Sequence, residues 1–381
     1  MFPRAKSFEG FDWWLLVSVL PLLFFGLITM KSFGGDATHG DIYFWRQLAW
    51  IGAGSVAFVI FAVVDWRAYI KNSFWLLVVY GVGVAFLAAL LIMGRVVRGV
   101  QSWYQVSSFS IQPAEFVKIA LILILAKYFA RRHIEIGLWR HIIVSGIYAG
   151  IPFLLVFLQP DVGTAFVFGA IWTGMVLFSG VGMRQLGILV LLGAVLVGFA
   201  WFFVFDPYQK VRIQSFLAPA SDPRGSGYHA NQARIAVGSG LIFGKGVGHG
   251  TQSRLNFLPE SQNDFIFAAF VEEWGLVGAL IALGCFGTFF YRLYRIAMRA
   301  DGNEAQLVVF GIAVLVLAQL VIHVGMNTAI LPVTGLSLPF MSYGGSLMLT
   351  LLGALGIVES IALRGTMFRR DRGEEVDLVA G

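Results

Sequence analysis

The sequence predicts an all-α polytopic membrane protein with about ten transmembrane helices and one large extracytoplasmic loop between the seventh and the eighth. Three observations carry that class. Mean hydropathy is +0.80. Only 13% of the 381 residues are charged, against about a quarter in soluble domains. Apolar stretches of about 20 residues, the length that crosses a bilayer, recur from one end to the other.

Reading apolar runs against charged breaks places the spans in order. The first, Trp13 to Met30, is too long and too aromatic for a cleaved signal peptide and reads as a retained span. Trp45 to Val64, Phe74 to Met93 and Pro113 to Ala130 follow. His141 to Leu158, Gly163 to Gly180 and Leu186 to Phe205 complete the first seven. The last three are Phe265 to Phe290, Leu307 to Met326 and Gly344 to Leu363. The whole chain reads as one integral membrane domain, residues 1–381, with a tail at 364–381.

Lys and Arg crowd one set of helix ends: Arg4, Lys6, Arg67, Lys71, Arg131, Arg132, Arg140, Arg184, Arg292, Arg295, Arg299 and the arginines of the tail. The other ends hold Lys31, Arg46, Arg95 and Arg98. The positive-inside rule therefore puts both termini in the cytoplasm and the loop 206–263 outside. The net charge of +6 reports topology rather than nucleic-acid binding, because the basic residues form no single face. The lone Cys285 sits in an apolar run, which excludes a disulfide framework and a thiolate metal site.

The loop carries apolar residues at Ile213 to Leu217, which predict a packed cap on the membrane surface, and a glycine-rich run from Gly238 to Gly250. That run is no P-loop: Ser239 stands where the motif has glycine, and no Ser or Thr follows Lys245. Its amides and Lys245 suit an anion equally well as they suit a plain surface loop.

Ionisable groups at the edge of a span cost about 2.5 to 3.5 kcal/mol each and need a reason. Glu115 and Lys118 share one face of the span opened by Pro113, either as an interfacial ion pair or lining an outward cavity with Lys118 toward a phosphate. Asp161, after Gln159-Pro160, suits a helix cap. Glu272 and Glu273 lie on an otherwise apolar helix, so at least one must face protein or a wet cavity. Asp264 closes the polar run Leu258 to Asn263 just before an apolar helix, where it is either an N-cap or a general base. His323, on an apolar span, reads as a satisfied core residue, and no metal-ligand cluster or Ser-His-Asp pattern appears.

Five stretches in order resemble the shape, elongation, division and sporulation (SEDS) family of peptidoglycan polymerases. They are Gln112 to Lys118, Gln159 to Thr164, Gly244 to Ser253, Phe257 to Phe267, and Leu331 to Ser346. The Gly250-Thr251-Gln252-Ser253 stretch is similar to the elongation branch rather than the division branch.

The resemblance implies ten helices, polymerisation of lipid II and an essential aspartate at Asp264. It also places Glu115, Lys118, Asp161, Lys245, Glu260 and Ser342 on family motif positions. Arg234, Lys118 and Lys245 are the candidate cations for the departing pyrophosphate. The implied partners are a class B penicillin-binding protein, other elongation-complex proteins and membrane lipids, in the bacterial inner membrane. No cofactor is required by the sequence, and a divalent cation bridging the phosphates is neither required nor excluded.

Three positions depart from the family pattern: Ser102 where Arg is common, Asn263 where Thr is, and His323 where Asn is. Arg95 or Arg98 is the expected substitute for the contact that Ser102 removes. A lipid II flippase and a non-catalytic scaffold are the rival readings. The first requires a polar path through the helices, the second no acid at all.

Overall fold

The computed structural model describes residues 10–33, 37–94, 101–106, 109–131, 139–203, 205, 207–218, 225–255, 257–258 and 260–379. Arg4, Lys6, Arg95, Arg98 and Arg132 lie outside them.

Among the described residues the regular structure is helical, apart from two short paired strands. Its first helices are α1 (Trp13–Ser32), α2 (Ala37–Val63), the short α3 (Trp66–Lys71) and α4 (Ser73–Met93). Then come α5 (Pro113–Ala130), α6 (Trp139–Leu158), α7 (Val162–Phe178) and α8 (Met183–Phe203). The expected loop is built of α9 (Pro207–Leu217), α10 (Ser226–Ser239) and the single turn α11 (Thr251–Arg254). The chain closes with α12 (Ile266–Arg299), α13 (Asn303–Asn327) and α14 (Gly345–Val379).

Among the described residues eight helices are long and apolar enough to cross a membrane: α1, α2, α4, α6, α8, α12, α13 and α14. The other two predicted spans are α5, which carries Glu115, Lys118 and Lys127, and α7, which is 17 residues long. α12 runs past the predicted Phe290 because its last turns are amphipathic: Leu293, Ile296 and Ala297 stay buried while Arg295 and Arg299 sit toward its basic end.

Local chemistry sets the helix starts. Asp12, Asp65, Asn72 and Asp161 are N-caps whose side chains accept from amides of the first turn. α5 begins with Pro113 at its first position, where no amide partner is needed. Glycines allow close helix contact: a Cβ on Gly26 would lie 2.4 Å from the Met341 carbonyl oxygen, and one on Gly356 2.4 Å from that of Phe58.

The two ends of the bundle differ. At the end holding the start of α1, charges are tied in pairs. Arg292 bonds Asp12, whose amide donates to Glu359 at 2.8 Å. Arg67 pairs with Asp301 at 3.0 Å, Arg364 with Asp65 at 3.2 Å, and Lys127 caps the Ile70 carbonyl. At the other end the helix starts of α5, α7, α12 and α14 gather beneath the loop helices.

α12 is broken near this end. Gly275 has φ 68° and ψ −167°, which only glycine adopts readily. The glycine run enters the break: Lys245 and Gly246 donate their amides to the carbonyls of Glu272 and Glu273, both at 3.0 Å. Leu276 and Val277 donate to Leu241 and Ile242, at 2.9 and 3.1 Å. Neither Gly244 nor Gly275 has room for a side chain, since a Cβ on Gly244 would lie 2.1 Å from the Glu273 carbonyl oxygen. The run is therefore a wedge that satisfies the orphaned backbone of a kinked helix.

Candidate active site

A cavity of about 320 Å³ opens where α5, α7, α12 and α14 begin. The hairpin β1 (Tyr104–Val106) and β2 (Phe109–Ile111) supplies one wall. Gln105 pairs directly with Ser110, so both side chains point to the same face and both line the cavity. Trp50, Trp103 and Tyr343 add aromatic surface, and Asp264, Glu115, Asp161, Arg212 and Gln319 supply polar groups.

Asp264 is presented by a turn held from three sides. The Glu260 residue has φ 51°, and its carbonyl accepts the amides of Asn263, Asp264 and Phe265 at 3.0, 3.1 and 3.3 Å. Asn327, on α13, donates to the Asp264 carbonyl at 2.9 Å and accepts from the Ala268 amide at 3.0 Å. Ser342 donates to the Asn263 carbonyl at 2.9 Å and accepts the Leu338 amide at 2.7 Å.

The N-cap of α12 is Phe265, with no side-chain cap hydrogen bond. Half-buried Asp264 immediately precedes that N-cap and lines the cavity. Gly335, at φ 79°, leaves the space beside it open, and a Cβ there would sit 3.6 Å from Oδ2.

Glu115 reaches the cavity from the first turn of α5, and Lys118 lies fully buried behind it with Nζ 2.7 Å from Oε1. Asp161 caps α7 through the Thr164 amide at 3.0 Å. Its other oxygen accepts from Ser102 at 3.2 Å and Gln112 at 3.3 Å. Ser102 thus serves an aspartate rather than a phosphate, and Arg95 and Arg98 lie outside the described residues.

The structure brings Asp264, Glu115 and Asp161 together. Glu260 and Ser342 stand behind Asp264 as turn and latch. The other two expected residues are elsewhere. Lys245 bonds Glu272 at 2.7 Å and Thr251 at 2.8 Å, and Arg234 is exposed on α10 away from the cavity lining. Among the described lining residues the cation is Arg212, on α9, whose Nη1 donates to the Val333 carbonyl at 3.4 Å.

Sequence reasoning passed over Arg212 and Gln319. The available signals were a basic residue immediately before the apolar segment of the loop and a lone amide within an apolar span. His323 is fully buried, with Nδ1 2.7 Å from the Leu336 carbonyl, and so fixes the wall next to Asp264. No group of three or more potential metal-ligating residues occurs among the described residues.

An all-helical polytopic membrane protein with an acid-lined cavity at the ends of four spans is the class that fold and site define. The chain belongs to the FtsW, RodA and SpoVE family of cell cycle proteins, whose model matches residues 11–366. It is 35% identical over 363 residues to the peptidoglycan glycosyltransferase MrdB of Escherichia coli, covering 94% of this chain and 96% of that one. Its fold superimposes with a TM-score of 0.79 on a chain of a peptidoglycan synthase complex in which polymerization and crosslinking are coordinated, at 27% identity over 93% of this chain and 98% of that one. The rod shape determining protein RodA of Thermus thermophilus matches with a TM-score of 0.68 and 25% identity, over 92% and 96% of the two chains.

Proposed function

We infer that this chain is a peptidoglycan glycosyltransferase that polymerises lipid II, with Asp264 as general base. The observation that supports the assignment of the base is a half-buried aspartate, immediately before the N-cap of α12, that lines the cavity.

A hydroxyl oxygen of the acceptor sugar attacks the anomeric carbon of the donor, and its proton passes to Asp264. The anomeric carbon to pyrophosphate bond breaks with its electron pair going to the pyrophosphate. Attack opposite the leaving group inverts the configuration and gives a β-1,4 link. A positioned carboxylate contributes about 10²- to 10⁴-fold to such a step. Arg212 and the positive ends of α5, α7 and α14 face the charge that develops on the leaving group. Lys118 holds Glu115 in the wall rather than meeting phosphate itself. The prenyl chain lies along apolar surface such as the groove of about 440 Å³ between α6, α7 and α8, lined by Phe153, Trp172, Leu189 and Val190.

The loop face is placed outside the cytoplasmic membrane and both termini inside, which the basic residues of the opposite end favour. A class B penicillin-binding protein is the partner that crosslinks the strand. The test is purified full-length protein with labelled lipid II. Polymer from the wild type and none from Asp264→Asn, at equal thermal stability, is the expected result. Unchanged polymer in Asp264→Asn removes the aspartate from the mechanism, and lipid movement without polymer supports a flippase instead.

A further inference from the structure

The polar groups around the cavity are mostly committed to one another. Glu115 is paired with Lys118, and Asp161 is shared among Ser102, Gln112 and the Thr164 amide. Arg212 reaches the Val333 carbonyl. Gln319 differs. It is 1% exposed, it lines the cavity, and its Oε1 has no hydrogen-bond partner among the described residues.

Its place on α13 makes the contrast sharper. Gln319, His323 and Asn327 recur every fourth residue and so share one face of the helix. Asn327 ties α13 to the Asp264 turn through both ends of its amide, and His323 ties it to Leu336. The third member of the stripe makes no such tie through Oε1. A buried amide left unpaired is destabilising, so the position favours an apolar residue unless a ligand completes it.

The chemistry of the unpaired atom narrows the ligand. A carbonyl oxygen needs a donor, which pyrophosphate does not offer. A carboxamide presents an acceptor and a donor side by side, and the group with the complementary pair is another amide. We propose that Gln319 is a substrate-contacting residue whose carboxamide pairs with a secondary amide of the lipid-linked glycopeptide. That amide is either the acetamido group of the amino sugar or a peptide bond of the stem. The proposal rests on the glycosyltransferase reading above and names a specificity contact within the same cavity.

The experiment uses the full chain and measures steady-state polymerisation of lipid II, of lipid II with its amino sugars de-N-acetylated, and of lipid II without its stem peptide. Gln319→Leu is compared with the wild type, and Gln319→Met, unbranched and of similar length, serves if the leucine variant does not fold. The expected result is a rise in KM of about tenfold, the size of one lost hydrogen bond, with kcat within about twofold. The thermal midpoint should be no lower than that of the wild type, because an unpaired buried amide has been removed. A residue with a merely structural role would lower it.

The two truncated substrates identify the source of the amide. The wild type should lose about tenfold on one of them, and the variant should lose nothing further on that same one. A wild type that polymerises lipid II while both variants match it in KM overturns the proposal and leaves the glycosyltransferase reading standing. Equal losses in wild type and variant on both truncated substrates overturn it too. A wild type that makes no polymer overturns the glycosyltransferase reading itself.

Discussion

Asp264 and Glu272 stand at the same end of α12 and are used in opposite ways. Glu272 is fully buried and saturated: it accepts from Lys245 at 2.7 Å, Thr251 at 3.1 Å, the Gln252 and Ser253 amides at 3.0 and 3.2 Å, and the Ser253 hydroxyl at 3.3 Å. It caps the N-terminus of α11 from another helix and neutralises the lysine of the glycine run. Asp264 is half-buried, stands just before the N-cap of its helix and borders a cavity. A carboxylate that satisfies five donors is a structural knot, whereas one whose backbone is held rigidly while its side chain faces a cavity is placed for chemistry.

The largest effect that tests this contrast is Asp264→Asn. Polymer formation should fall by about 10²-fold or more while the thermal midpoint stays within a degree or two, since the turn is held by backbone atoms and by Asn327 and Ser342. A large fall in the midpoint would put Asp264 in the same class as Glu272.

Glu272→Gln reverses the pattern. Lys245 loses its counter-ion and the α11 amides lose a charged cap, at a cost of about 3 kcal/mol for a broken buried pair. The expected outcome is a clearly lower thermal midpoint, with the rate per folded molecule close to that of the wild type. Loss of polymer at an unchanged midpoint would move the knot into the reaction and restore Lys245 as a pyrophosphate ligand.

The same contrast explains what the sequence disclosed and what it hid. The spans were readable because twenty apolar residues between charged breaks have one low-energy arrangement in a bilayer. Asp264, Glu115 and Asp161 were readable as carboxylates at helix starts, and all three line the cavity. Lys245 looked like an anion ligand because sequence shows the lysine and its glycines but not that a kink at Gly275 opens α12 to receive them. The loop's apolar run at Ile213 to Leu217 announced a packed cap, but helices α9, α10 and α11 themselves were hidden, because packing rather than a strong apolar periodicity fixes them. Arg212 and Gln319 enter the cavity from segments distant in sequence, so no local spacing announces them.

A smaller effect separates the two cations. Lys118 is fully buried against Glu115, whereas the Lys245 side chain keeps 27% of its surface exposed. Lys118→Met should lower polymer formation about tenfold by leaving a cavity-wall carboxylate without its counter-charge, and Lys118→Arg should recover part of that loss. Both are read in the lipid II assay alongside the thermal midpoint. Equal rates in all three proteins would reduce the pair to an anchor for α5.

The finest test uses two glycines with the same backbone demand. Gly335 has φ 79° and Gly248 has φ 77°, so an alanine at either carries a left-handed strain of about 1 to 2 kcal/mol. Their surroundings differ. A Cβ on Gly248 meets nothing within 4 Å, while one on Gly335 lies 3.6 Å from Asp264 Oδ2, an ordinary contact that fits without a clash yet fills the space beside the carboxylate. Gly248→Ala and Gly335→Ala should therefore lower the thermal midpoint by similar amounts. Only Gly335→Ala should slow polymerisation, by several-fold in kcat, because a methyl group then occupies the approach to the base. Equal rates in the two variants would mean that the acceptor hydroxyl reaches Asp264 from another side, and the glycine would then serve only the turn.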